Sequence, residues 1–139
     1  HSSFQSQPNL IILSVTLSLY RGDTNRAKAA VQAWIAQKSA VQPTNSLGSI
    51  FQNPPLDICQ KIWGEQKSTG WIIDNQLQLK GTQIGDAQIS PKHANFIVNN
   101  GQATATDYLS LINLIQTQLH QKFNFSFDLE IKLLGDFQN

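Results

Sequence analysis

Hydrophobic and polar residues alternate along the chain with two different periods. In residues 13–19, LSVTLSL, every second side chain is apolar, which predicts a half-buried strand. Beyond the following turn, apolar residues recur at spacings of three and four, which predicts an amphipathic helix ending near Lys38. Asp23 or Thr24 is available to cap this helix. Its apolar positions are Ala27, Ala30, Val31, Trp34 and Ile35.

The periodicity disappears in residues 39–53, where serine, proline, asparagine and glycine dominate. Such a composition is typical of a segment between folded units. We therefore expect a domain boundary near residue 40, with residues 1–40 and 41–139 in different domains.

Shorter elements are predicted beyond this boundary. Because Pro54-Pro55 bars helix, the next helix is expected to begin with Asp57 as its cap and to reach Trp63. Residues 71–77 have a short apolar run without a decisive period, and we interpret them as helix rather than strand. Residues 94–99 are typical of a buried strand, and Asn100-Gly101 predicts a tight turn.

A long helix and a final strand complete the pattern. Thr104 and Asp107 have the spacing of a capping box, and the apolar stripe that follows predicts a helix packed on a core. The stripe consists of Tyr108, Leu111, Ile112, Ile115 and Leu119. Residues 127–134, FDLEIKLL, alternate as a strand with Glu130 opposite the apolar face. The order of elements predicts an α+β domain of two layers, a mixed or antiparallel sheet covered by helices.

Composition narrows the class of protein. A chain of 139 residues with 40% hydrophobic residues can bury a core of its own. Ten basic and nine acidic residues give a net charge of +1, so we expect no nucleic-acid partner and no membrane surface as partner. No apolar run approaches the roughly 20 residues of a membrane span. Cys59 is the single cysteine, which excludes an internal disulfide and fits a cytoplasmic location.

Most of the residue patterns that are typical of catalytic and metal sites are missing from the sequence. His1, His93 and His120 are scattered and Cys59 stands alone, so we expect no metal site. Ser49 lacks the GxSxG elbow of a nucleophilic serine, and the glycines at 81–85 have the wrong spacing for a dinucleotide fingerprint. From pattern alone Ser49 is a turn serine, and Glu130 is a solvated carboxylate on a strand.

Three motifs change this interpretation. GSIFQNPP, LKGTQIGDAQISPKHANFIVNNGQATATDYLSLI and FDLEIKLLG, in this order, resemble the C-terminal part of the UDP-N-acetylenolpyruvoylglucosamine reductases. These are flavin-dependent, NADPH-consuming enzymes that reduce UDP-N-acetylglucosamine enolpyruvate to UDP-N-acetylmuramate for peptidoglycan. The resemblance implies that residues 1–40 are the tail of an FAD-binding domain and residues 41–139 the substrate-binding domain.

The resemblance also implies roles for individual residues. Ser49 would protonate C2 of the enolpyruvyl group after hydride from the reduced flavin reaches C3, and Glu130 would help to stabilise the enol-like intermediate. Asn53 would contact the nucleotide part of the substrate, although a purely structural asparagine before proline fits equally well. His93 is placed near the substrate pocket, where a structural histidine bonded to the backbone is the favoured alternative.

Departures from the family pattern are equally visible. Gln52 stands where lysine is common and Lys132 where arginine is common, which weakens the phosphate or cofactor contacts expected there. Residues 57–69 are longer than expected, which predicts an inserted loop over the site.

The family binds FAD mainly in two N-terminal domains that end in a Tyr-Arg-x-Ser-x-Phe motif. HSSF, residues 1–4, fits the second half of that motif, so the arginine is expected immediately before His1. The chain would then be a C-terminal fragment, and alone it would neither hold FAD nor oxidise NADPH. Two alternatives stay open: a free-standing UDP-sugar-binding module, and a noncatalytic partner of a separate flavin subunit.

Overall fold

A computed structural model describes residues 9–135 of the protein. Four α-helices and three short strands are present in these residues, which confirms the predicted α+β class. In chain order they are α1 (Thr24–Val41), α2 (Leu56–Trp63), α3 (Thr69–Trp71), which continues into a π-helical turn (Ile72–Gln76), β1 (Gln83–Ile84), β2 (Ala87–Ile89), β3 (Ile97–Asn99) and α4 (Ala105–Phe123). The described residues divide into two units, with the division between Ala33 and Trp34. None of the helices in the described residues is long and apolar enough to cross a membrane.

The strand predicted at residues 13–19 is wrong. The structure has no regular element there, and the side chains are exposed, Leu13 by 91% and Leu19 by 86%. An alternating pattern can form a strand only beside a partner for its backbone N–H and C=O groups, so alternation alone was insufficient.

The first predicted helix is confirmed as α1. Oδ1 of Asp23 accepts hydrogen bonds from the N–H groups of Asn25 at 2.8 Å and Arg26 at 3.1 Å, which caps the first turn. The helix ends at Val41, three residues beyond the predicted end at Lys38, and buries none of its residues.

The sheet has the order β1-β2-β3 and is antiparallel throughout. A two-residue loop, Gly85-Asp86, joins β1 to β2, and Gly85 has a φ of +54°, as a type II′ turn requires at its first central position. The sequence pattern missed β1 and β2, which have only two and three residues. The strand predicted at 94–99 is confirmed only as β3, and Asn100-Gly101 leads from β3 into α4 as a bend.

The capping box and the apolar stripe of α4 are both confirmed. Oγ1 of Thr104 accepts from the N–H of Asp107 at 3.1 Å, and Oδ2 of Asp107 accepts from the N–H of Thr104 at 2.9 Å. The helix packs on β1 and β2, and four of the five stripe residues are buried while Tyr108 is half-buried. The buried four are Leu111, Ile112, Ile115 and Leu119. They join Ile50, Phe51, Ile72, Ile73 and Ile89 in the core.

The strand predicted at residues 127–134 is wrong, because only Leu129 pairs with another segment, across from Phe51. Two backbone hydrogen bonds hold this bridge: the N–H of Gln52 donates to the C=O of Asp128 at 2.9 Å, and the N–H of Glu130 donates to the C=O of Ile50 at 2.8 Å. The alternation of burial fails at Leu133, which falls on the predicted apolar face but is 42% exposed.

The two predicted helices between residues 57 and 77 are confirmed in kind. One is α2, which begins at Leu56 rather than after Asp57, with Pro55 in the cap position and Asp57 in the first turn. Proline is compatible with the start of a helix because the first N–H groups have no partner inside it. The other is α3 with its π-helical turn.

Candidate functional site

A cavity of about 330 Å³ lies beside the loop that carries the first sequence motif, residues 48–54. This volume is at the lower end of the range for small-molecule sites. Three further segments supply the rest of its wall, at residues 68–70, at residues 93–95 and at residue 130. The lining residues are Ser49, Phe51, Gln52, Asn53, Ser68, Gly70, His93, Asn95 and Glu130.

Ser49 follows a glycine whose backbone a larger residue would rarely adopt. Gly48 has a φ of +95°, in the left-handed region that glycine enters without steric cost. The next two residues, Ile50 and Phe51, are 0% and 2% exposed and anchor the loop in the core. Ser49 therefore presents a half-buried hydroxyl group between Gly48, with its left-handed backbone, and the two buried residues that follow.

Glu130 is attached to the same loop through the backbone. Its N–H donates to the C=O of Ile50, the residue after Ser49, at 2.8 Å. The side chain of Glu130 is exposed and lines the cavity, so a ligand can reach both the hydroxyl of Ser49 and this carboxylate.

Asn53 connects the loop to the start of α3. Its Oδ1 accepts from the N–H of Thr69 at 3.0 Å, and Oγ1 of Thr69 donates to the C=O of Gln52 at 2.7 Å. Thr69 is completely buried. These two bonds hold residues 68–70 against the loop, which is the structural role that the sequence left open for Asn53.

His93 forms the opposite wall and packs on the backbone of Gly70. A Cβ at Gly70 would lie 2.7 Å from Cε1 of His93, so no larger residue fits there unless the imidazole ring moves. The ring stands edge-on to Phe96, with 4.8 Å between the centroids, and Nδ1 accepts from the N–H of Asn95 at 3.2 Å. This bond assigns the proton of the neutral ring to Nε2.

The pKa of His93 is lowered, chiefly because burial disfavours the charged imidazolium. A hydrogen bond at its backbone acts in the opposite direction, and the charge of Lys80 lowers the pKa further. At neutral pH His93 is therefore a neutral side chain with one N–H donor.

The structure brings all four residues singled out from the sequence, Ser49, Asn53, His93 and Glu130, into this one cavity. Gln52 also lines it, and its Nε2 donates to the C=O of Leu129 at 3.4 Å. Of the longer segment predicted as a loop over the site, most forms α2 and a turn, and its end at Ser68 lines the wall.

Sequence reasoning missed Asn95. It is 5% exposed, and its side chain hydrogen-bonds the backbone of Phe51. A signal was available, because Asn95 is polar in the apolar run of residues 94–98, and a buried amide needs hydrogen-bond partners. Thr69 was missed too, and its position in the sequence gives no such signal.

A larger, mostly apolar cavity of about 720 Å³ lies between β3, the start of α4 and residues 131–134. Tyr108 lines it, and burial raises the pKa of its phenol. Its hydroxyl has no hydrogen-bond partner within the described part of the chain. Lys132 lies there too, but none of the four predicted site residues does.

The donor set of the smaller cavity does not suit a metal or FAD. In residues 9–135 no three histidine, cysteine, aspartate or glutamate side chains lie together as a metal would need. The nine lining residues include no lysine or arginine and no helix N-terminus of eight or more residues, the groups that hold a pyrophosphate. The cavity fits a small polar group that needs one hydroxyl, one carboxylate and neutral donors.

A family of oxidoreductases is identified by comparison with known proteins. The model described as "UDP-N-acetylenolpyruvoylglucosamine reductase, C-terminal domain" matches residues 38–134, more than half of the chain. The chain therefore belongs to the UDP-N-acetylenolpyruvoylglucosamine reductase family, as the resemblance of its three motifs predicted.

Individual relatives match over nearly the whole chain. The UDP-N-acetylenolpyruvoylglucosamine reductase of Listeria welshimeri is 38% identical over 94% of this chain, and that of Acaryochloris marina is 34% identical over 98%. The crystal structure of the reductase from Thermus caldophilus matches 81% of this chain with 34% identity and a TM-score of 0.60, and the match covers 36% of that protein. The chain spans about two fifths of the length of the curated relatives, 41% in both cases.

Proposed function

We propose that residues 41–139 form the substrate domain of a UDP-N-acetylenolpyruvoylglucosamine reductase, and that the smaller cavity holds the enolpyruvyl end of the UDP-sugar. The observation that carries this proposal is the placement of Ser49 and Glu130 in one cavity, joined through the bond from Glu130 to Ile50. Family membership of the same residues supports it.

Reduction of the enolpyruvyl double bond adds a hydride to one carbon and a proton to the other. None of these side chains can supply the hydride. The family resemblance implies that a reduced flavin supplies it, with NADPH as the ultimate donor. Ser49 is the proton donor: its O–H bond breaks as the new C–H bond forms at C2, and solvent then restores the hydroxyl. An alcohol is a weak acid, so the step depends on a donor held close to the developing charge.

Glu130 acts on the carboxylate of the substrate. During the reaction negative charge spreads from C2 onto that carboxylate, and Glu130 lines the same cavity as Ser49, so its carboxyl group lies within reach of that charge. The backbone of Glu130 is bonded to the residue after Ser49, which keeps the two segments that carry these side chains side by side.

Asn53 and His93 bind the rest of the substrate. Oδ1 of Asn53 is engaged with Thr69, which leaves its amide N–H groups as the donors that can meet the nucleotide part. For His93 the available group is the Nε2 proton, since Nδ1 accepts from Asn95. Both are neutral donors, which suits hydroxyl and carbonyl oxygens of a sugar nucleotide.

FAD is held outside this cavity in the proposal, because the lining residues offer nothing for its pyrophosphate. An N-terminal flavin-binding region of the kind that the resemblance implies would supply it. The assignment of residues 1–40 to the end of that region, like the cytoplasmic location, stays a prediction. His1 to Phe4, which carry part of this resemblance, lie outside the described residues.

The test is NADPH oxidation by the complete gene product, measured with and without UDP-N-acetylglucosamine enolpyruvate. The proposal expects oxidation that requires the substrate and yields UDP-N-acetylmuramate. The 139-residue chain is the control, and it is expected to carry no flavin and to oxidise no NADPH. Calorimetric binding of the UDP-sugar by a complete gene product that never oxidises NADPH would instead establish the binding-module alternative.

A further inference from the structure

We propose that Asn95 is a positioning residue that fixes Ser49 relative to Glu130. The inference rests on the proposed function, since it concerns the geometry of the proton transfer. Asn95 itself touches neither the hydroxyl of Ser49 nor the carboxylate of Glu130 through any hydrogen bond of the described residues.

Asn95 is bonded to the loop at two consecutive residues. Its Oδ1 accepts from the N–H of Phe51 at 3.1 Å, and its Nδ2 donates to the C=O of Phe51 at 2.8 Å. Its backbone C=O accepts from the N–H of Ile50 at 2.9 Å. The side chain thus replaces a neighbouring strand, because it supplies both the donor and the acceptor that an extended segment needs.

The other edge of the loop is bonded to the segment that carries Glu130. The N–H of Glu130 donates to the C=O of Ile50, and the N–H of Gln52 donates to the C=O of Asp128. Residues 50–52 therefore lie between Asn95 on one side and the Glu130 segment on the other. A shift of Phe51 changes the position of Ser49, two residues earlier, against Glu130.

The amide of Asn95 has a chemical requirement that distinguishes it from a space-filling residue. Phe51 offers one N–H and one C=O, so the partner must donate and accept at the same time. A neutral carboxylic acid does both, whereas an ionised carboxylate can only accept and would set a negative oxygen against the C=O of Phe51. Because Asn95 is 5% exposed, burial raises the pKa of a carboxyl placed there.

This difference gives a sharp test in the complete gene product, the variant Asn95→Asp. At pH values above the raised pKa of the new carboxyl, where it is ionised, we expect kcat to fall by about 100-fold, the effect of a displacement of roughly 1 Å at a reacting group. KM is expected to change by less than about threefold, since the amide oxygen and nitrogen of Asn95 are both bonded to Phe51. As the pH falls and the carboxyl becomes protonated, the ratio of variant to wild-type kcat should rise toward one.

The control is Thr104→Ala, which removes the cap of α4 and lowers the melting temperature without touching the smaller cavity. Its kcat is expected to equal that of wild type at every pH. A loss in Asn95→Asp that is no larger than in this control, or that does not change with pH, would overturn the proposal. So would a rise in KM with kcat unchanged.

A second variant keeps the proposal testable if Asn95→Asp does not fold. Asn95→Ser removes both bonds to Phe51 without adding a charge, and we expect a lower kcat with the pH profile of wild type; unchanged kcat would overturn the proposal. Failure of the proposed function is distinguishable, because wild type would then show no substrate-dependent NADPH oxidation, and the proposal would fall with it. An active wild type beside an unaffected Asn95 variant overturns the proposal alone.

Discussion

The close packing of His93 on Gly70 predicts that adding one methyl group at residue 70 destabilises the fold, and that this loss of stability depends on the presence of the His93 ring. In Gly70→Ala the new Cβ would lie 2.7 Å from Cε1 of His93, whereas ordinary contact begins at 3.4 Å, so the ring has to move by at least 0.7 Å. His93 accepts from the N–H of Asn95 at 3.2 Å, and a displacement of this size away from Asn95 lengthens that bond beyond hydrogen-bonding distance. The substitution therefore disturbs packing and one hydrogen bond together.

The magnitude follows from three effects. Overpacking costs roughly 1–3 kcal/mol and the lost hydrogen bond about 1 kcal/mol, while replacing glycine by alanine in a helix returns about 1 kcal/mol. We expect Gly70→Ala to lower the free energy of unfolding by about 1–3 kcal/mol. In a His93→Ala background the ring is absent, and the same change should be neutral or stabilising by up to about 1 kcal/mol.

Urea denaturation of the 139-residue chain measures this coupling. The four chains are wild type, Gly70→Ala, His93→Ala and the double variant, and the coupling energy is expected to be about 2 kcal/mol. Equal costs of Gly70→Ala in the two backgrounds, to within about 0.5 kcal/mol, would refute the predicted contact.

Three further predictions concern the walls of the cavity. Thr69→Val removes the bond from the buried Oγ1 to the C=O of Gln52 and should lower the free energy of unfolding by about 1–3 kcal/mol in urea denaturation. Thr104→Ser, which keeps the hydroxyl that caps α4, is the control. Burial lowers the pKa of His93 in the folded chain, so below about pH 6.5 the unfolded chain binds a proton there more readily than the folded chain does. The melting temperature should therefore fall from pH 7 to pH 5.5, and it should fall less steeply in His93→Gln. Equal slopes in the two proteins would contradict this prediction. Glu130→Ala should lower kcat more than it raises KM in the complete gene product, because it removes the group that acts on the developing charge, and a change confined to KM would exclude the proposed role.

Local signals predicted part of the fold. The helix α4 was predicted with its capping box and its buried stripe, because the bonds that cap it and the spacing that buries it lie within one turn of sequence. Strands depend on a neighbour. Residues 13–19 have no neighbouring strand to pair with among the described residues, and the segment around Leu129 pairs with another segment at a single bridge. The strands β1 and β2 are too short for an alternating pattern to be recognised.

The site shows the same division between local and distant information. Periodicity alone predicted a turn serine at Ser49 and a solvated surface carboxylate at Glu130. The family motifs were what identified both as site residues. Two residues hold the cavity together through bonds to distant parts of the chain. Asn95 binds the backbone of Phe51, 44 positions away, and Thr69 binds the side chain of Asn53 and the C=O of Gln52, 16 and 17 positions away. No local pattern encodes these partners. Only the folded chain shows that they lie against the loop of Ser49.

The measurement that tests the central claim most directly is single-turnover reduction of UDP-N-acetylglucosamine enolpyruvate by the complete gene product and its Ser49→Ala variant, with the affinity for substrate measured in parallel. If Ser49 is the proton donor, the variant binds the substrate as tightly as wild type and forms product about 100- to 10,000-fold more slowly. A variant that forms product within about tenfold of the wild-type rate, or that loses only affinity, would contradict the account.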